Sequence, residues 1–374
     1  MQDFFVEAHI SDIHFGAMDP KEQYKLLKDQ FIDRLMTLPI LDIVSVNGDI
    51  FHHKFMANSE SVSLACYFIS DLIKVCAIKN ATLLIIAGTY SHDADQIKLF
   101  YPMAEQAIAN GTDVRIIEEV KFETVKGKRI LCIPELYGKG SEYYEQFLYQ
   151  SGFYDACYMH GTFAGAIFGK DVPNLNSDRE PVFYMDHFRH CAGPIISGHV
   201  HTPGCYAKHF YYCGSPYRWQ FGEEEEKGFI IMIQDLRTRQ YAVHYEPIIS
   251  DKYITINMDS MINGDPKDMI AYIAQVMKEE DIKYLRVRLT ENNPENLEII
   301  QTFYRNNPNV RIETKIHSDN IVENLQEIQN EYESYDYLFD KNITPENKLV
   351  RYINQSEGSV FLTYEDLIGI LQNI

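Results

Sequence analysis

Short apolar runs that end at polar or glycine-containing tips recur through the first 250 residues. FFVEAHI (4–10), LDIVSV (41–46) and TLLIIAG (82–88) are nearly continuous hydrophobic stretches, the pattern of strands buried on both faces. Between them the spacing becomes helical. Leu26, Leu27, Phe31 and Leu35 predict a helix over about 21–38 with Pro20 at its start. Ser59 as N-cap and Glu60 in the first turn predict a second over about 59–79, and a third is expected over 97–109. Shorter strands are expected near 114–117, 121–125 and 129–133, and again in YDACYMHG (154–161) and GPIISGH (193–199). From 203 to 247 the chain is β-rich. Alternating strands and helices followed by β-rich sequence predict a layered α/β sandwich flanked by helices.

Residues 252–315 read as β-α-β-α-β, with helices over about 266–278 and 294–306, a small separate α/β domain. After Ser318 the chain is polar and helical in pattern, with acidic runs around 323–340. It closes on FLTYEDLIGILQNI, where Thr363 can cap a short amphipathic helix. The expected division is therefore 1–250, 251–317 and 318–374.

Composition narrows the setting. No apolar run approaches the roughly 20 residues of a membrane span, and MQDFFVEAHISD lacks a basic leader. Seven cysteines, an odd number without a CxxC pair, suit reduced thiols in a cytoplasmic protein. The net charge is −20, split evenly as −10 in residues 1–250 and −10 in 251–374. Neither part is a basic nucleic-acid module, so a DNA substrate would need bound cations, a local basic patch or a partner.

The histidines carry the chemistry. Seven of thirteen fall in blocks that follow apolar strands: SDIH (11–14), NGDIFHH (47–53), SHD (91–93), MHGT (159–162) and SGHVH (197–201). In open α/β sheets the carboxyl ends of strands line the ligand crevice. Asp12, His14, Asp49, His160, His199 and His201 supply two carboxylates and four imidazoles. Mixed oxygen and nitrogen ligation without thiolate suits manganese, iron or zinc, and magnesium less well. Six donors exceed one tetrahedral site but suit two ions sharing a carboxylate.

The order D-x-H, G-D-x-x-H, H-D, H, G-H-x-H resembles the calcineurin-like metallophosphoesterase superfamily. Within it, NGDIFHH and YYCGSPYRWQFGEEEEKGFIIM (211–232) are similar to the blocks of SbcD-type DNA repair nucleases. The resemblance covers about residues 3–247 by motif and the remainder by architecture. It implies that Asp12, His14 and His201 hold the first metal, His160 and His199 the second, and Asp49 bridges. It also implies a hydroxide nucleophile, His92 as general acid or phosphate contact oriented by Asp93, and His52 near the substrate; His53 has no family role. Two divalent ions are expected, Mn2+ first and Mg2+ as the alternative. Also implied are DNA as substrate, 3′→5′ duplex exonuclease and single-strand endonuclease activity, and an SbcC-like ATPase bound through 318–374. A homodimer is expected through the 59–79 helix, with Cys66, Ile69 and Ile73 as a seam. Lys283, Arg286 and Arg288 are candidate phosphate contacts. Tyr217, Arg218 and Trp219 either contact DNA or cover the sheet edge.

GTYSHD (88–93) departs from the family's G-N-H-D. By adjacency to His92, Ser91 takes the place of the second-metal asparagine; Thr89 or water is the alternative. The weakest donor then lies at the second metal. Competing functions are a small-molecule phosphatase or phosphodiesterase on the same core, and a scaffold subunit without catalysis.

Overall fold

The computed structural model describes residues 3–150, 152–164 and 182–257, and then 266–279, 284–289 and 310–314 with a few single positions between. The strand β1 (Phe4–Ile10) leads into α1 (Pro20–Leu26), which opens with Pro20 at its first position and the Asp19 carboxylate accepting from the amides of Lys21 and Glu22. The helix continues through a wider π turn, Leu27–Ile32, into α2 (Asp33–Thr37). Leu27, Phe31 and Leu35 face inward, as their spacing predicts. Then come β2 (Ile43–Asn47), α3 (Glu60–Lys79), β3 (Thr82–Ile86), a 3-10 turn over Ala94–Phe100, α4 (Tyr101–Ala109), β4 (Val114–Ile117), β5 (Lys121–Val125) and β6 (Lys128–Ile133). Ser59 caps α3 by accepting from the Val62 amide. By length and composition α3 is apolar enough to cross a bilayer, contrary to the sequence expectation, but Val62, Ala65, Phe68, Ile69, Leu72 and Val75 are buried in the core. Burial of Ile69 also removes the middle of the Cys66-Ile69-Ile73 seam from the surface.

The chain goes on through α5 (Ser141–Gln150), β7 (Ala156–His160), β8 (Thr162–Phe163), β9 (Val182–Phe183), β10 (Ile195–Gly198), β11 (Gly204–Ala207), β12 (Phe210–Tyr212), β13 (Gly228–Asp235) and β14 (Tyr241–Pro247). Sequence periodicity passes over α5, whose SEYYEQFLYQ offers few apolar positions; the two that are sealed, Tyr144 and Leu148, lie one helical turn apart.

Two six-stranded mixed sheets result, ordered β14-β13-β1-β2-β3-β4 and β11-β12-β10-β7-β6-β5. The β1, β2, β3 and β4 strands run parallel, as do β6, β7, β10 and β12, so their carboxyl ends gather at common edges. Alternate residues serve different layers. Ile43, Leu84 and Ile86 join Ile130, Tyr158 and Ile196 in the core drawn from both sheets. Val44, Val46, Leu83 and Ile85 instead meet the helices, together with Phe31, Phe68 and Leu72. A third core packs Tyr144 and Leu148 of α5 on the second sheet. The mixed α/β architecture with helices flanking two large sheets is that of a metallophosphoesterase-like fold.

Beyond residue 250, β15 (Tyr253–Asn257), α6 (Pro266–Glu279), β16 (Tyr284–Leu289) and β17 (Val310–Thr314) build a three-stranded sheet in which β15 and β16 run parallel. Almost all of the helix expected over 294–306, with Lys283, the Arg288 side chain and the 318–374 segment including Thr363, lies outside the described residues. Arg286 is described: its guanidinium sits 5.0 Å from the Phe221 ring, and Nε donates to Thr255 Oγ1 at 3.0 Å.

Candidate metal centre

The site is assembled from strand tips of both sheets. Asp12 and His14 follow β1, Asp49 follows β2, Thr89 follows β3, Glu135 follows β6, His160 ends β7, and His199 and His201 follow β10. Main-chain bonds lock the first two tips together, Asp12 N–H to the Gly48 carbonyl and His14 N–H to the Asp49 carbonyl, both 3.0 Å. Gly48 is required there: at φ +85°, an added Cβ would lie 2.3 Å from His160 Nδ1. Asp12, His14, Asp49 and His199 are themselves left-handed, at φ 52°, 49°, 53° and 95°. Four non-glycine residues held in a sparsely populated region at one place are the backbone mark of a functional site.

Two ligand groups emerge. Asp12, His14 and His201 present donor atoms mutually within 4.8 Å, and so do Asp49, His160 and His199. They meet at Asp49, whose Oδ2 lies 3.3 Å from His160 Nε2 and 3.8 Å from His14 Nε2. His14, His52 and His92 form a third cluster alongside.

Hydrogen bonds settle which ring nitrogens are free. His160 Nδ1 lies 2.8 Å from the Asn47 carbonyl, an acceptor only, so Nδ1 carries the proton. In the neutral ring Nε2 is then a lone pair facing the Asp49 carboxylate, with the Thr89 hydroxyl 3.3 Å away and able to donate to it. The repulsion between lone pair and carboxylate is relieved by a proton or a cation between them. Across the site His201 Nδ1 lies 3.1 Å from Glu223 Oε1, which leaves its Nε2 as an acceptor 3.0 Å from His14 Nε2, where a His14 Nε2–H can donate; the buried His14 Nδ1 has no hydrogen-bond partner. The donor set therefore fits divalent cations.

Charge effects run the same way. Burial opposes ionisation of Asp49, but the His160 and His14 imidazoles outweigh it and hold its carboxyl well below the usual range. Burial likewise opposes charge on His160 and His199, and the Asp49 and Glu135 carboxylates outweigh it, so both titrate above ordinary histidine. His14, where burial dominates, is pushed well below.

The placements differ from the sequence reading at three points. Ser91 is exposed, whereas Thr89 donates its amide to Asp49 Oδ1 at 2.7 Å and holds Oγ1 3.2 Å from Asp49 Oδ2. Thr89 is thus the oxygen donor beside the second group, because the residue following Gly88 stays against the strand tip while the two inserted residues carry the loop outward. Asp93 does not orient the His92 ring. It is buried and accepts from the amides of Ile50 (2.8 Å), Phe51 (3.2 Å) and Gly88 (2.8 Å), tying the β2 and β3 loops together; burial and the Asp49 charge push it up to about 7. His92 instead lays Nδ1 on the His52 carbonyl, which leaves Nε2 outside that bond.

Two buried carboxylates belong to the site and escaped sequence reading. Glu135 Oε2 stands 3.2 Å from His199 Nδ1 and 3.9 Å from His160 Nε2. Glu223 fixes His201 and also accepts from the Trp219 amide, so the first residue of EEEE (223–226) is a buried support. Trp219 packs its ring 5.1 Å from His52 and 5.7 Å from both His14 and His201, walling the first group. Tyr217 is core, its hydroxyl donating to the Ile13 carbonyl at 2.5 Å. His53 is exposed and lies against Phe55.

The Thr89 placement makes a prediction. Thr89→Ala is expected to lower metal occupancy of the second group and hydrolysis by roughly tenfold or more, within the 10–100-fold span of losing a supporting metal-site contact. Ser91→Ala stays within about twofold of the parent, since surface substitutions are near neutral. Metal titration and steady-state kinetics on the two variants check the order; the reverse order returns Ser91 to the site.

The fold and the two ligand groups support a metal-dependent phosphoesterase, a hydrolase of phosphoesters. Over 283 residues, 74% of this chain and 91% of the relative, the sequence is 22% identical to "Putative phosphoesterase 244L" of Invertebrate iridescent virus 6. No protein-family model matches the chain.

Proposed function

We propose that the protein is a two-metal DNA nuclease of the SbcD kind, working in the cytoplasm as a dimer with an SbcC-like ATPase held by residues 318–374. The observation that carries the phosphoester chemistry is the pair of three-residue groups meeting at Asp49. The nuclease assignment rests on the NGDIFHH and GSPYRWQFGEEEEKGF blocks. Asp12, His14 and His201 would hold one divalent ion and Asp49, His160 and His199 the other, with Thr89 and Glu135 beside the second. Bound Mn2+ ions supply charge neutralisation and an activated water.

The chain's own groups do the rest. His92 stands 4.7 Å, ring to ring, from His14, with Nδ1 committed to the His52 carbonyl. Its Nε2 would then be the nitrogen that, in the protonated ring, gives its proton to the departing sugar oxygen. His52 lies between His92 and Trp219 and confines that side. Asp93 fixes the loop that carries His92.

A small-molecule phosphodiesterase is the second reading, and the net charge of −20 favours it, since a long polyanion gains little from such a surface. Purified protein with Mn2+ is expected to cut linear duplex and single-stranded DNA faster than small phosphodiesters at equal phosphodiester concentration, with and without the ATPase. Intact DNA together with turnover of the small diesters assigns the second reading instead.

A further inference from the structure

The two residues inserted after Gly88 place Tyr90 one residue from Thr89 and two from His92, at the edge of the centre. Tyr137 stands two residues beyond Glu135, which contacts His199. Successive Cα atoms are about 3.8 Å apart, so both tyrosines are anchored within two residues of groups touching the second ligand set. Their rings lie 5.2 Å apart at 34°, and Lys54 Nζ is 4.4 Å from the centroid of Tyr90. Yet Tyr90 is 49% and Tyr137 66% exposed. An aromatic pair that stays this open, with an exposed lysine on it, is not sealing a core. Trp219 packs instead beside His14 and His201 of the first ligand group.

We propose that Tyr137, supported by Tyr90 and Lys54, is a nucleobase-stacking subsite that seats one base flanking the scissile phosphate beside the second ligand group. The inference rests on the DNA reading given above. Every nucleobase offers a π-face, so stacking there selects an unpaired nucleotide without selecting its identity. Tyr90 is braced between Lys54 and Tyr137, while the more exposed Tyr137 presents the open ring. The Lys54 ammonium meets the next phosphate along the strand, a charge contact in a chain whose net charge repels polyanions. The subsite thus accounts for why this loop is longer than the G-N-H-D it resembles: the insertion carries an aromatic support outward while Thr89 stays on the centre.

The test uses the full chain and a set of single-stranded oligonucleotides in which one abasic residue is moved past a fixed cleavage position. Cutting with Mn2+ is followed, and binding is measured by fluorescence anisotropy with Ca2+ in place of Mn2+. For the parent protein, one position next to the cut is expected to lose about tenfold in both affinity and kcat/KM when abasic, the scale of one stacked base. Tyr137→Ala removes that difference between intact and abasic strands, Tyr90→Ala reduces it, and Tyr137→Phe retains it. Thermal melting confirms that the variants are folded. A parent that cuts every abasic strand equally well, or a folded Tyr137→Ala that keeps the discrimination, overturns the subsite alone. Failure to bind or cut any oligonucleotide overturns the DNA reading, and the subsite with it.

Discussion

Asp49→Asn is expected to reduce phosphoester hydrolysis by about a thousandfold or more while leaving the protein folded. Asp49 is the carboxylate on which both ligand groups converge, 3.3 Å from His160 Nε2 and 3.8 Å from His14 Nε2. The asparagine keeps the size and tolerates the left-handed φ of 53°, which few other residues do. Its amide oxygen can still accept the Thr89 amide that Asp49 Oδ1 accepts at 2.7 Å. What disappears is the negative charge and the second oxygen, the features that two cations would share. Each ion would contribute several kcal/mol of transition-state stabilisation, and about 4 kcal/mol corresponds to a thousandfold in rate. Steady-state rates at saturating Mn2+, beside a melting curve, decide it. A folded Asp49→Asn protein within tenfold of the parent removes Asp49 from the shared position.

The second large effect is on stability and lies between the sheets, away from the catalytic tips. Lys128 Nζ donates to both Glu7 carboxylate oxygens at 2.9 Å, and the Tyr158 hydroxyl donates to Oε1. Glu7 and Tyr158 are fully buried and Lys128 almost so. Burial opposes charge on Glu7, yet the lysine, together with His9 and the Tyr158 hydroxyl, outweighs it and brings the carboxyl from 4.5 down to about 2. Lys128→Met leaves that carboxylate sealed without its counter-ion, at a cost of about 3–5 kcal/mol. In a domain of this size that lowers Tm by roughly 10 °C. Glu7→Gln/Lys128→Met recovers most of the loss, because no charge is then stranded. The acid profile has a defined sign. A carboxyl whose folded pKa is depressed contributes stability present above its unfolded value, here 4.5, and lost as pH falls through about 2. The parent therefore loses this contribution between about pH 4.5 and 2, and Lys128→Met, already without it, loses less over the same interval. Melting curves at pH 7, 4 and 3 measure both effects; an unchanged Tm at pH 7 contradicts the role assigned to the pair.

How much of this the sequence could disclose follows from how each residue announces itself. Asp12, His14, Asp49, His160, His199 and His201 stand where an apolar run stops, and that coincidence of period and polarity is visible in one dimension. The Ser59 cap and the inward stripe of α3 are equally local. Glu135 is not. It is one acidic residue after β6, with no histidine near it in sequence, and its meaning comes from His199, which sits 64 positions on. Glu223 hides within four consecutive glutamates that differ only in burial. That Thr89 and not Ser91 lies against Asp49 depends on which end of a lengthened loop stays on the strand tip, a three-dimensional matter that adjacency to His92 does not show. Asp93 stands next to His92 in sequence, but its burial and its three amide donors, which make it a brace between loops, are visible only in the fold.

If two divalent ions share the Asp49 carboxylate and together hydrolyse phosphoesters, equilibrium titration of the metal-stripped chain with Mn2+, read together with hydrolysis of bis(p-nitrophenyl) phosphate, shows it. Two ions per chain are expected, with hydrolysis rising as the second site fills and with His160→Ala retaining only one. Hydrolysis that is complete with fewer than two ions bound, or that is unchanged in His160→Ala, would contradict it.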